Sequence, residues 1–194
     1  FDAVVVIDAD TRPAPNLLKA FAAALGSGVS AAQCRYGADN AEASPLSWLL
    51  VLGNVLENDL RHEPRARLGL PTILRGNGMC FSATVLRENP WQAFSITEDT
   101  EYGLALLENG VRVAYLADTQ VTTRLPETFE QLRIQRARWA AGNADLARAR
   151  VPRLFASAFA RRDWLLADAA WPLMTASPPQ LLLCALPPAL AALA

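Results

Sequence analysis

The sequence predicts an α/β fold, and three observations carry that expectation. Short apolar, β-branched runs alternate with longer stretches of helical periodicity. Glycine, proline, serine and threonine punctuate the boundaries between them. Neither internal repeats nor a low-complexity linker interrupts the pattern, and 194 residues suffice for a sizeable core.

The first apolar run covers residues 1–7 and reads as a buried strand. It stops at Asp8-Ala9-Asp10, followed by Thr11-Arg12-Pro13. A helix is expected over 16–25, with Pro15 near its start and Gly26-Ser27-Gly28 ending it. Residues 29–36 read as a short strand, and 44–61 as a helix capped by Ser44 with Pro45 in the first turn. Residues 70–74 lead into Arg75-Gly76-Asn77-Gly78, and 79–82 into another strand. A further helix begins near Thr97 and closes at Asn109-Gly110. Alternation predicts a strand over 111–116. A longer helix is expected over 128–148, capped by Thr128 or begun after Pro126.

Composition narrows the function classes. The net charge of -1 favours no polyanionic partner, and no basic stripe with interleaved aromatics suggests nucleic acid. Cys34, Cys80 and Cys184 lie far apart, so neither a zinc site nor a disulfide framework follows. His62 is the single histidine, which excludes a Ser-His-Asp triad unless His62 itself serves. Its charged surroundings predict a surface position at a helix end.

The C-terminal part changes character. No charged residue follows Asp168, a run of 26 residues interrupted by five prolines. An interfacial stretch over 164–174 and the start of a membrane helix from about 179 are expected. Arg148, Arg150, Arg153, Arg161 and Arg162 precede it and mark a cytoplasmic side. A buried C-terminal helix of a soluble domain is the alternative. The chain opens on Phe1 inside a strand pattern, which reads as a fragment lacking an N-terminal part.

Four signals bear on chemistry. Asp8 and Asp10, at the end of a strand, would point the same way and suit a divalent cation. A turn with two solvated acids fits the same residues. Gly76, Asn77 and Gly78 could let the backbone approach a sugar or phosphate, or simply form a turn. Glu98 and Asp99 open a helix. Ser95-x-x-Glu98 matches a capping box, the stronger reading taken alone, whereas a positioned Asp99 could act as a general base. Gln135, Arg138 and Trp139 stand at i, i+3 and i+4 and share a helix face. That face suits a diphosphate and a sugar ring, or an amphipathic helix with a half-buried Trp139.

Asp-x-Asp, then Thr97-Glu98-Asp99, then Gln135-x-x-Arg138-Trp139 resembles the family 2 glycosyltransferases. The nearest likeness is to the membrane-bound branch of cellulose, chitin and hyaluronan synthases, over residues 1–143. The resemblance implies a GT-A, Rossmann-like fold, N-terminally truncated here, followed by interfacial and membrane helices. It implies a partial catalytic domain over 1–150, an interfacial region over 151–178 and a transmembrane start over 179–194. It further implies an inverting, metal-dependent transfer from a nucleotide-diphosphate sugar to a glycan or lipid hydroxyl, in polysaccharide synthesis. The cofactor would be Mg²⁺ or Mn²⁺, held by Asp10 and Asp8. Asp8, Asp10 and Arg138 would bind the donor. Asp99, supported by Glu98, would be the base, and Gly76, Asn77, Gly78, Gln135 and Trp139 would meet the acceptor. A membrane location follows, with the catalytic part cytoplasmic. The family's upstream base-binding segment has no counterpart here, so the fragment is expected to be inactive alone. A non-processive enzyme acting on a lipid or oligosaccharide, and a non-catalytic membrane scaffold, are the competing readings.

Overall fold

A computed structural model describes residues 1–175. Five strands form one mixed sheet: β1 (Ala3–Val6), β2 (Arg12–Pro13), β3 (Ala31–Ala38), β4 (Met79–Ser82) and β5 (Val113–Thr123), in the order β1-β4-β3-β5-β2. Only β3 and β5 pair in parallel; β1 with β4, β3 with β4 and β2 with β5 are antiparallel. The helices are α1 (Leu17–Gly26), α2 (Pro45–Val55), α3 (Glu63–Arg67), α4 (Ala83–Glu88), α5 (Glu98–Glu108), α6 (Phe129–Arg161) and α7 (Trp164–Met174).

The sheet order has a geometric consequence for Asp8 and Asp10. β1 and β2 lie on opposite edges, yet only residues 7–11 join them. Four strand spacings in a flat sheet span about 19 Å. Six residue steps reach about 20 Å when fully extended. The joining segment is not extended, because the Thr11 amide turns back to the Asp8 carbonyl at 3.1 Å. The sheet must therefore curl, and the segment crosses the ends of the central strands.

This corrects the expected position of the two acids. β1 ends at Val6, so Asp8 and Asp10 sit in the crossing turn and strand alternation does not set their direction. Other elements also differ from expectation. The expected single helix over 44–61 becomes α2, then a π-helical segment Leu56–His62, then α3. Ser44 does cap α2, accepting from the Ser47 amide at 3.0 Å. α4 is short and was not expected; Ser82 starts it by accepting from the Val85 amide. β5 runs on to Thr123 because its second half pairs with β3 beyond a register shift at Cys34/Arg35. Thr128 caps α6, which continues past 148 and through Pro152 to Arg161. A proline inside a helix removes a hydrogen bond. Leu146, Leu154 and Ala158 compensate by packing on Leu104, Leu107, Leu166 and Ala170.

α7 occupies the expected 164–174. It buries Leu166 and Ala170 against α5 and α6 while Trp164 and Trp171 stay exposed. Arg65 also pairs with Asp168 and so ties α3 to α7. Among the described residues no helix is long and apolar enough to cross a membrane. The membrane helix expected from 179 lies outside the described residues.

The core beneath the sheet fixes α5. Tyr102 stacks with Trp91 at 4.2 Å and meets Phe81 edge-on at 5.6 Å. Gly103 lies against Leu74, where a Cβ would sit at 3.4 Å. Cys34 and Cys80 are buried free thiols; burial pushes the first up to about 12 and the second to about 11. Cys184 lies outside the described residues.

Of the described glycines, Gly78 is the most tightly enclosed. Its φ is +67, and an added Cβ would stand 2.5 Å from Cys34 Sγ and 2.8 Å from Val121. Strain and overpacking act together there. Gly78→Ala should therefore lower stability by about 2 kcal/mol or more. Denaturant unfolding measures it; a loss below about 0.5 kcal/mol would show that this loop relaxes freely.

Candidate active site

The site is built on the loop before β4. Gln33, fully buried on β3, holds the loop from below: its Nε2 donates to the Asn77 carbonyl at 2.8 Å, and its Oε1 accepts from the Arg75 amide at 2.9 Å. Gly76 and Gly78 both take positive φ. Asn77 is then turned toward the crossing segment, 1 % exposed. Its Oδ1 accepts from the Asp8 amide at 3.3 Å and its Nδ2 donates to Thr11 Oγ1 at 2.6 Å. Asn77 thus positions the acidic turn, and its side chain is committed to that task.

Asp99 approaches the same loop from the other side. A Cβ on Gly76 would sit 3.4 Å from Asp99 Oδ2. The Gly76–Gly78 loop is therefore flanked by Asp8 and by Asp99. Glu98 closes the group, since its charge reaches Asp8. The Asp8 carboxyl is raised above the ordinary carboxylate range, first by partial burial, then by Asp10 and Glu98. Carboxylates that raise one another in this way attract a cation. Two exposed acids on one turn fit a hard divalent ion whose remaining ligands come from water and phosphate. Among the described residues no three His, Cys, Asp or Glu side chains form a closed metal cage.

Burial pushes Asp99 up to about 6, with Glu98 adding to the rise and the Thr100 amide opposing it. Desolvation outweighs the helix-start N–H groups that favour the ionised form. The capping-box reading fails on geometry. Thr97, not Ser95, is the cap residue of α5, and no side chain caps the helix. Thr97 Oγ1 is itself buried without a partner among the described residues.

α6 meets this helix start through Gly142, where a Cβ would come within 3.1 Å of both Ile96 and Thr97. Gly142 continues the face of Gln135, Arg138 and Trp139 by helical spacing. Gln135 is half-buried, Arg138 is exposed and Trp139 is 38 % exposed. No hydrogen bond joins them to Asp99. Sequence reasoning missed Gly142, although a lone glycine three residues beyond Trp139 in an alanine-rich helix is a usable signal. Arg136 was missed as well: its guanidinium lies 5.5 Å from the Trp139 ring.

His62 reverses its expected surface position. It is 1 % exposed, stacked on Tyr115 at 5.3 Å, with Nδ1 2.6 Å from the Thr72 hydroxyl. Burial lowers its pKa, which favours the neutral ring. The π-helical turn rotates His62 inward where a regular helix was expected.

The chain is 28% identical over 153 residues to a probable glycosyltransferase of Sulfolobus acidocaldarius, covering 77% of this chain and 33% of that protein. It is 25% identical over 148 residues to glucomannan 4-beta-mannosyltransferase 1 of Oryza sativa, covering 75% and 28%. It is 26% identical over 151 residues to glucomannan 4-beta-mannosyltransferase 2 of Arabidopsis thaliana, again covering 75% and 28%. The chain spans about a third or less of the length of these curated relatives. The family model described as glycosyl transferase family group 2 matches residues 3–194, and the chain belongs to that family.

Proposed function

We propose that this domain transfers a sugar from a nucleotide-diphosphate sugar to a glycan hydroxyl, with inversion at the anomeric carbon. The observation that supports this most is the half-buried Asp99 carboxyl, with a pKa of about 6, beside a loop that also holds the Asp8–Asp10 turn. Asp99 takes the proton of the acceptor hydroxyl. The freed oxygen attacks the anomeric carbon while the bond to the departing diphosphate breaks. A carboxylate with a pKa near 6 is a stronger base than an ordinary aspartate and stays ionised at neutral pH. Asp8 and Asp10 would hold Mg²⁺ or Mn²⁺, which when bound neutralises charge on the diphosphate. Arg138 adds positive charge on the leaving-group side, and Trp139 offers a flat face to a sugar ring. The glucomannan mannosyltransferases among the relatives favour a β-linked polysaccharide acceptor over a lipid. Placement in the cellulose, chitin and hyaluronan synthase branch goes with this reading, supported by the three motifs in order. The test is transfer by the full-length protein from a panel of nucleotide sugars, with product linkage and anomeric configuration determined; retention of configuration would sink the single displacement.

Asp99→Asn should lower transfer about 10²–10⁴-fold while nucleotide binding persists. In the wild type, kcat/KM should fall as pH drops through about 6, and the variant should lack that acid limb. The sign for stability is the opposite. Between the ordinary value of 3.8 and about 6 the folded state binds the additional proton, so Asp99 destabilises the fold as pH rises through that window. Asp99→Asn should therefore raise Tm at pH 7.5 and leave it nearly unchanged at pH 4. An unshifted Tm with normal turnover would remove Asp99 from the mechanism.

Asp10→Ala should act earlier, at donor binding. Calorimetry with a nucleoside diphosphate and Mn²⁺ should show weakened affinity that excess metal partly restores. Equal affinity in both proteins would reject Asp10 as a ligand.

A further inference from the structure

A second polar layer lies one helix further from the acidic turn. α2 and α6 start together: Ser47 Oγ donates to the Pro126 carbonyl at 3.4 Å, and Asn40 holds both the Leu125 carbonyl and its amide. From there Leu46 and Leu50 of α2 pack on Leu132 of α6. One turn beyond Leu50 comes Asn54, then Glu57; one turn beyond Leu132 comes Arg136. The apolar seam thus gives way to three polar side chains. Asn54 Nδ2, Glu57 Oε2 and Arg136 Nε are all buried without a hydrogen-bond partner among the described residues. Glu57 is 6 % exposed, and its charge is near enough to act on Arg136.

Two donors and one acceptor left open in a single layer are costly, since buried polar groups are normally paired. Glu57 is moreover held on one side. Its Oε1 takes the Arg61 guanidinium at 2.6 Å and lies 3.4 Å from His62 Nε2. Only Oε2 is free. The π-helical segment supplies Glu57, Arg61 and His62 together, and such segments concentrate at functional sites. Arg75, which runs into the Gly76–Gly78 loop, adds positive charge near Glu57 and donates to Asn58 Oδ1 at 3.1 Å. On the other side Arg136 stacks on Trp139. The layer therefore adjoins the candidate active site through both Arg75 and Trp139.

We propose that Asn54, Glu57 and Arg136 form a subsite for the hydroxyl groups of the glycan acceptor. A sugar hydroxyl donates to Glu57 Oε2, and ring or hydroxyl oxygens accept from Arg136 Nε and Asn54 Nδ2. A neutral polyol matches this set because it both donates and accepts; an ionised phosphate has no donor to offer Glu57 Oε2. Sites built to bind hydroxyls discriminate strongly, since the wrong ligand leaves buried groups unpaired. The assignment to the acceptor rests on the transferase reading above; the binding of a glycan does not.

The test titrates β-1,4-mannotetraose, cellotetraose and chitotetraose into the full-length protein, in parallel with a nucleoside diphosphate. The wild type should bind at least one glycan. Glu57→Gln and Arg136→Gln should each weaken it by about 10-fold or more, with nucleotide affinity kept and Tm within a few degrees. Arg136→Lys, which keeps the charge but loses Nε, should weaken glycan binding as well. Where transfer is measurable, the acceptor KM should rise and the donor KM should not. A wild type that binds nucleotide but none of the three glycans overturns the subsite. Unchanged glycan affinity in the variants overturns it too, as does a loss matched by collapse of Tm, which would make the layer structural. A raised donor KM alone would move the layer to the donor sugar and reject the acceptor assignment. Glycan binding without transfer from any nucleotide sugar would instead defeat the transferase reading and leave the subsite standing.

Discussion

The amide of Asn77 is the interaction on which the site depends. It is the point where a five-residue crossing between the two sheet edges is tied down, by one bond from Asp8 and one to Thr11. Without that tie the crossing turn would be an ordinary surface loop with two solvated acids. The tie in turn needs Gln33 beneath it, and two glycines whose positive φ lets the loop reverse on either side of Asn77. A backbone bend in β3–β4 packing is thus converted into the placement of carboxylates that are distant in sequence from the loop.

Asp99 is placed by a different means. Tyr102 and Gly103, one turn along α5, lock the helix onto Phe81, Trp91 and Leu74. The first turn of the helix has little freedom left, so its carboxyl is pressed against Gly76 and desolvated. Desolvation is what raises its pKa, and the same desolvation makes the charged form unfavourable for the fold. Basicity and local instability are one physical quantity here. The rigid aromatic packing behind α5 is what the fold sets against that cost.

Much of this was legible in the sequence, and the legible part has a common character. β1, α1, α5 and the start of α6 follow from periodicity and cap residues, which act within a few residues. Residue type and order singled out Asp8, Asp10 and Asp99 as candidates, and the fold brings Asp8 and Asp99 to the two sides of one loop. What stayed hidden depends on packing between distant segments. Strand alternation could not say that β1 stops at Val6, because the end is set by the crossing to β2. His62 looked exposed because its neighbours are charged, and the π-helical turn that buries it has no local signature. Ser95 satisfied a capping pattern that the actual helix start at Glu98 left unused. Helix α6 outran its expected end because tertiary contacts with α7 outweigh one proline.

The two halves of the site differ in how complete they are. Around Asn77 nearly every buried polar atom finds a partner, which specifies a single backbone geometry. Between α2 and α6 three have none among the described residues. A fold under selection for stability alone could remove such atoms with ordinary apolar side chains, and the adjoining Leu46–Leu50–Leu132 seam shows that the two helices accept them. Burial alone would push the Glu57 carboxyl up, but His62 and Arg61 outweigh it and hold the group below the ordinary carboxylate range, while its second oxygen stays without a partner among the described residues. In the proposed subsite a sugar hydroxyl supplies the partner that this oxygen lacks. The chain thus keeps its better-satisfied network where loop geometry is fixed, and its unsatisfied one where the proposed glycan subsite lies.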